Sequence, residues 1–337
     1  MKHLLNLLAV FLFSFPLPAI VLTAAGLLFP TISKAHPGTG IVCDRTGNIF
    51  YTDLKNVYKI APNGEKTIAL AHVHTHELAL DSADNLYGEH LWYTGEADNR
   101  WRRYVWRLSP SPAEPNGKEG DGSLTRILGE HEAFKGDFGF VRDGAFNEYS
   151  VRAEGDEFIF EKKSPDGKKM LVGKRQLKDV QWLKADWDGT LYFSEHADLW
   201  QLSPDDDFKR LAQNLAEPTP PFDVFGEGHS IFGIWLDSLK NVYVAVHTGG
   251  SVKKITPAGG VSTVVKSPFG WSPVGGTFDR TGNLWVLEST FTGSMRARKI
   301  DTAAVCKGQI WGAGATGWWL VAIVSLCLLA LGIRRLW

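Results

Sequence analysis

The chain has 337 residues, enough for two average domains or one repeat array, with 44% hydrophobic and 22% charged residues. Its 36 basic and 37 acidic residues leave a net charge of -1, and no Lys/Arg run covers a face. That excludes the concentrated positive footprint that nucleic-acid binding requires.

At the N-terminus, Met1-Lys2-His3 precede an apolar run from Leu4 to Pro30 that Pro16 and Pro18 interrupt. A basic start before an apolar stretch predicts a secretory signal over 1–35, with Ser33-Lys34-Ala35 as the cleavage site. The alternative is an uncleaved N-terminal membrane segment. Cys43, in the first predicted strand, either pairs with Cys306, tying the first repeat to the last in an oxidising compartment, or is a buried thiol.

From here the chain repeats itself. IVCDRTGNIFY (41–51), LALDSADNLY (78–87), LKADWDGTLY (183–192), IWLDSLKNVY (234–243) and GTFDRTGNLW (276–285) each read as a short strand, Asp, a tight turn, Asn or Thr, and an apolar-aromatic strand. The turn residues Asp44, Asp81, Asp186, Asp237 and Asp279 are spaced by 37, 105, 51 and 42. The gap of 105 is about two repeats, and VRAEGDEFIF (151–160), with Arg152 in the Asp place, is the predicted sixth copy. A third strand and a second turn follow in NVYKIAPNGEKTIAL (56–70), DLWQLSPDDDFKRLA (198–212) and SVKKITPAGGVSTVV (251–265), where Pro suits its turn position.

Units of four antiparallel strands predict an all-β, six-bladed β-propeller over 36–303. The carboxylate of each turn Asp is expected to accept backbone N–H bonds and hold its turn. Between 91 and 124 the second blade is lengthened, and Trp101–Trp106 alternates as Trp101, Arg103, Val105 on one face and Arg102, Tyr104, Trp106 on the other. This stretch is either a blade strand with cations on rings or a surface for a sugar or anionic ligand. Ser109–Ser123 reads as a loop rich in Pro, Gly and charge.

After a linker at 304–316, Gly317–Ile333 is apolar apart from Ser325, flanked by Trp318-Trp319 and by Arg334-Arg335. It reads as a single C-terminal transmembrane helix over 317–333, with 334–337 a cytoplasmic tail and the propeller on the extracytoplasmic side.

The segments GIVCDRTGNIFYTDLKNVYKIAPNGE and PVGGTFDRTGNLWVLES resemble NHL-type repeats and the propellers of the gluconolactonase/regucalcin, strictosidine synthase and virginiamycin B lyase groups. In the gluconolactonase-like group the resemblance implies a divalent metal in the channel, held by Glu, Asn and Asp five residues before the turn Asp. That position here holds Thr39, His76, Gln181, Phe232 and Val274, with Asn147 in the sixth copy, so the acidic set is missing.

Two kinds of loop should meet at the channel mouth: those entering each inner strand and those between second and third strands. The first kind brings His72, His74, His76, Glu77 and His229. The second brings Glu89-His90, Glu195-His196, His247 and Glu288. Imidazole and carboxylate suit a borderline divalent metal or proton transfer near neutral pH. The metal candidates are His74, His76, Glu89, His90 and His247, and the catalytic candidates His76, His90, Glu195 and His196. His-x-His at 74–76 would place both rings on one face of an extended strand. Against this, the position nine residues after the turn Asp carries Asp53, His90, Glu161, Glu195 and Glu288, where an acid can brace the blade. Two functions stay in play: a membrane-anchored module binding a small molecule or protein at the mouth, or a metal-dependent hydrolase, lactonase or lyase there.

Overall fold

The computed structural model describes residues 37–95, 100–110, 123–133, 141–216, 230–290 and 292–301. The predicted signal, linker, membrane span and tail, together with His229, Cys306 and most of the Ser109–Ser123 loop, lie outside these residues. Among the described residues no helix is long and apolar enough to cross a membrane.

Six antiparallel sheets follow one another in chain order. Blade 1 comprises β1 (Ile41–Cys43), β2 (Ile49–Thr52), β3 (Asn56–Ile60) and β4 (Lys66–Ala71). Blade 2 comprises β5 (Ala79–Leu80), β6 (Leu86–Tyr93), β7 (Trp101–Ser109) and β8 (Ser123–Ala133). Blade 3 holds β9 (Val141–Arg142), β10 (Glu148–Glu154), β11 (Glu157–Lys163) and β12 (Lys169–Gln176). Blade 4 holds β13 (Leu183–Ala185), β14 (Leu191–Glu195), β15 (Asp198–Leu202) and β16 (Phe208–Ala212). Blade 5 holds β17 (Ile231–Leu236), β18 (Val242–Val246), β19 (Ser251–Ile255) and β20 (Val261–Lys266). In blade 6, β21 (Trp271–Phe278), β22 (Leu284–Thr290) and β23 (Met295–Ile300) form a sheet of three strands among the described residues.

Apolar clusters lie between the sheets. Val57 of blade 1 packs with Leu86 and Trp106 of blade 2, and Tyr87 of blade 2 meets Phe146 of blade 3. Phe160 packs on Phe193 between blades 3 and 4, and Leu199 lies with Val244 between blades 4 and 5. The last cluster runs from Trp235 and Tyr243 through Val286 to Ile41 and Tyr51, joining blades 5, 6 and 1 and so closing the ring. Glycine permits this closeness: a Cβ on Gly88 would sit 2.3 Å from Trp106, and one on Gly275 would sit 2.3 Å from the Thr39 carbonyl. Cys43 is a half-buried thiol whose burial and neighbour Asp44 push its pKa up to about 11.

The turn carboxylates Asp44, Asp81, Asp237 and Asp279 act as expected, whereas Asp186 accepts from Trp187 N and from Lys240 Nζ and leaves Thr190 N to Asp188. Asp81 accepts from Ala83 N at 2.8 Å, Asn85 N at 3.0 Å, Asn85 Nδ2 at 2.8 Å and Tyr87 Oη at 2.8 Å. Asp237 repeats the pattern with Leu239, Asn241 and Tyr243. The third blade corrects the sequence register. Its turn residue is Asp143, which accepts from Ala145 N, Asn147 N, Asn147 Nδ2 and Tyr149 Oη at 2.7–2.9 Å. Arg152 lies instead within β10, half exposed and paired with Glu154 at 2.8 Å. The local cue is Asp-x-x-x-Asn-x-Tyr in 143–149, because Asn and Tyr are the side chains that close the carboxylate's bonds. Asn147 is thus a turn residue, and Glu161 pairs opposite Ser150 within the sheet rather than nine residues beyond a turn Asp.

Asp143→Ala is expected to cost about 2 kcal/mol, because it strips a charged acceptor from four donors. Arg152→Ala should stay within about 0.5 kcal/mol. Denaturant midpoints of the purified chain compare the two.

Candidate functional site

The strand order places the loops entering the inner strands and the loops between second and third strands on one face. His74, His76 and His90 meet there. The His74 and His76 rings are 4.8 Å apart, edge to face. The His74 backbone N–H donates to His90 Nδ1 at 2.9 Å, which fixes Nδ1 as an acceptor and leaves the proton of a neutral ring on Nε2. Burial lowers the pKa of His74. Burial, then the neighbouring His74 and Arg126, lowers that of His90. Both rings are therefore neutral near pH 7.

Alternation along β6 decides what surrounds His90. Residues 90 and 92 share one face, and 89 and 91 the other. The His90 ring lies 5.3 Å from Trp92 and 5.1 Å from Tyr104, and those two are 6.0 Å apart. Arg126 covers Tyr104 at 4.1 Å. The predicted face of Tyr104 and Trp106 is thus present: Trp106 packs with blade 1, while Val105 packs toward blade 3. The sequence pairing of His90 with Glu89 overlooked Trp92, and the cue to it was the same period of two.

Glu89 faces the other way. It is fully buried, 3.5 Å from Arg103, which also approaches Glu148 at 3.9 Å, and Arg142 binds Glu148 at 3.2 Å. These charges brace blades 2 and 3, so Glu89 and His90 do not address one ligand. Glu195 accepts from Lys178 N at 2.8 Å and from Trp200 Nε1 at 2.9 Å, which braces blade 4. His196, the residue after it, has a left-handed φ of 49° in the turn before β15. His247 packs on Phe232 with ring centroids 4.6 Å apart. His72 is exposed, with a φ of 59°. Glu77 accepts a hydrogen bond from Thr39 Oγ1 in the channel.

Glu288 is also fully buried and accepts from Ser267 Oγ at 2.8 Å, Arg296 Nε at 2.9 Å and Arg298 Nη2 at 2.6 Å. Burial alone would raise its pKa, but the bonds from Arg298, Ser267 and Arg296 outweigh it and hold the carboxyl below its ordinary value.

Among the described residues no three His, Cys, Asp or Glu side chains are grouped to hold a metal ion. The imidazoles explain why: His90 uses Nδ1 on a backbone N–H, and His74 meets His76 edge to face rather than converging on a point. With the acidic set also missing, these residues do not fit a divalent ion.

No family model matches the chain, and no curated protein matches it in sequence. Similar solved structures include virginiamycin B lyase from Staphylococcus aureus, at 15% identity over 80% of this chain and 86% of that one, with a TM-score of 0.39. Regucalcin from Agrobacterium tumefaciens is 13% identical over 82% and 89% of the two chains, with a TM-score of 0.43. A gluconolactonase from Xanthomonas campestris is 13% identical over 80% and 88%, with a TM-score of 0.44. These names belong to the propeller groups that the repeats resemble, and at such distances they describe those proteins alone.

Because the folded Glu288 carboxyl titrates below its unfolded value, its stabilisation is full above about pH 4.3 and disappears as pH falls through the lower folded value. Glu288→Gln is therefore expected to cost about 3 kcal/mol at neutral pH and to flatten the acid limb of stability. Thermal unfolding followed from about pH 7 down to about pH 3 checks both.

Proposed function

We propose that the chain is a membrane-anchored, extracytoplasmic propeller that binds a ring-bearing small molecule at the mouth between blades 1 and 2. One observation carries this reading: neutral His90 clusters with Trp92 and Tyr104, with His74 beside it, while the adjoining Glu89 and the blade 4 acid Glu195 are occupied in bracing blades. Neutral imidazole and indole offer flat faces and single N–H donors, which suit a sugar or aromatic ring more than a metal. Display outside the membrane follows from the apolar run at 317–333 with Arg334 and Arg335 beyond it, and from the basic, apolar start of the chain.

The competing reading, a metal-dependent hydrolase or lyase, requires a ligand group that the described residues do not supply. The test uses detergent-purified full chain. Elemental analysis is expected to find no stoichiometric metal, and a panel of soluble oligosaccharides and aromatic acids, screened by ligand-observed NMR, is expected to yield a binder whose affinity falls about tenfold or more in Trp92→Ala. Stoichiometric metal that is lost in His76→Ala and His90→Ala would turn the assignment to the enzyme. Protease added to intact expressing cells is expected to remove the propeller, and full protection would contradict the outward orientation.

A further inference from the structure

The face opposite the mouth carries the turns between first and second strands, and the chain leaves the propeller from that face. Ile300, at the end of β23, pairs with Leu284 at the start of β22, directly after the Asp279 turn, and Lys299 binds Asp279 at 3.3 Å. The apolar run at 317–333 follows, and the segment 302–316 can span at most about 55 Å even when fully extended. The turn face is therefore the one from which the chain departs toward that run.

Two adjacent turns on this face carry large apolar side chains. The first and second positions after the turn Asp are exposed in all six blades. Trp187 takes the first position in blade 4 and is 70% exposed, and Leu239 takes the second in blade 5 and is 75% exposed. Elsewhere these positions hold Arg, Ser, Gly, Thr, Ala or Asp. The turns use only the backbone there: Trp187 N donates to Asp186 Oδ1 at 2.7 Å, and Leu239 N to Asp237 Oδ1 at 2.9 Å. Neither side chain is needed to close its turn. The two turns touch, because Lys240 Nζ binds Asp186 and, at 3.1 Å, Asp188. The Trp187 ring rests against the backbone of Gly144 in the blade 3 turn, which holds its orientation and leaves most of it exposed. The other large apolar side chains exposed among the described residues lie along the fourth strands, in the blade 2 hairpin or, for Phe269, on the mouth face. Single exposed apolar residues are ordinary, whereas a pair on touching turns, on the face where the chain departs, points to a contact.

We propose that Trp187 and Leu239 seat the turn face of the propeller on a bilayer of zwitterionic lipid, with the mouth directed away from it. The proposal rests on the membrane-anchored reading, with 317–333 as the anchor. Indole favours the headgroup layer, where its ring meets the acyl boundary and its N–H meets water. Leu239 adds apolar burial on the adjoining turn. Lys240 is held by Asp186 and Asp188, and Arg45 by Asp84 at 2.8 Å, so these cations are not spare for anionic headgroups. The exposed acids Asp205, Asp206 and Asp207, on the second turn of blade 4, repel such headgroups. A shallow contact suffices, because a tether holds the face at high local concentration beside the bilayer.

Detergent-purified full chain is reconstituted into phosphatidylcholine nanodiscs that include a photoactivatable phosphatidylcholine, its carbene precursor at the top of the acyl chain. Mass spectrometry of the digested chain locates the label. Label is expected on 317–333 and on the peptides that carry Trp187 and Leu239, and not on the peptide that carries Phe269. Trp187→Arg with Leu239→Asp introduces residue types that blades 1 and 4 already hold at these positions, in Arg45 and Asp188, so the turns can form. This double variant should lose the turn label roughly tenfold and keep the label on 317–333. Labelled 317–333 with unlabelled turns overturns the proposal and leaves the anchored reading intact, and it is also the result if a second copy or another segment of the chain covers the face. Label on Phe269 in place of the turns overturns it too, as does a double variant labelled like wild type. An unlabelled 317–333 removes the anchored reading and the proposal with it.

Discussion

A four-stranded sheet with apolar residues on both faces cannot be stable in water by itself, and here every blade meets that constraint by packing against its neighbours. The apolar clusters sit between sheets rather than within them, and the one that spans blades 5, 6 and 1 closes the circle. Closure then dictates the axis, where glycines at 275 and 233 let inner strands approach at backbone distance. The interface of blades 2 and 3 departs from the rule. Its apolar cluster centres on Tyr87 and Val105 alone, and the Glu89, Arg103, Glu148 and Arg142 charges occupy the adjoining space. A buried charge network of this kind adds little net stability, but it penalises any register that separates its members.

The same packing determines which polar groups can face a ligand. Each strand between two blades directs alternate side chains to opposite neighbours, so consecutive residues belong to different interfaces. Glu89 joins blade 3 while His90 turns toward the entry to blade 2, and the carboxylate is thereby withdrawn from the mouth. Glu195 and Glu288 are withdrawn in a similar way, each by donors from its own or an adjoining strand or loop. What remains at the mouth is imidazole, indole and phenol.

The turns show how far local chemistry reaches. Asp44, Asp81, Asp237 and Asp279 announce their blades because the carboxylate, the Asn four residues on and the strand start all lie within one short segment. The same set is complete at Asp143, Asn147 and Tyr149, but the long second blade displaces it from even spacing. Counting by period pointed to Arg152, whereas the side-chain pattern pointed to Asp143.

The sequence by itself determined the six-fold repeat, the turn carboxylates outside the third blade and the two-residue alternation of the blade 2 strands, because each depends on contacts between near neighbours in the chain. It also carried the histidines to one face, since loop order follows from strand order. Only the tertiary structure decided that neighbouring Glu and His part company, that the acids brace blades, and that Trp187 and Leu239 stand exposed on touching turns. Those outcomes depend on which blade lies against which and at what distance, and a repeat spacing holds neither quantity.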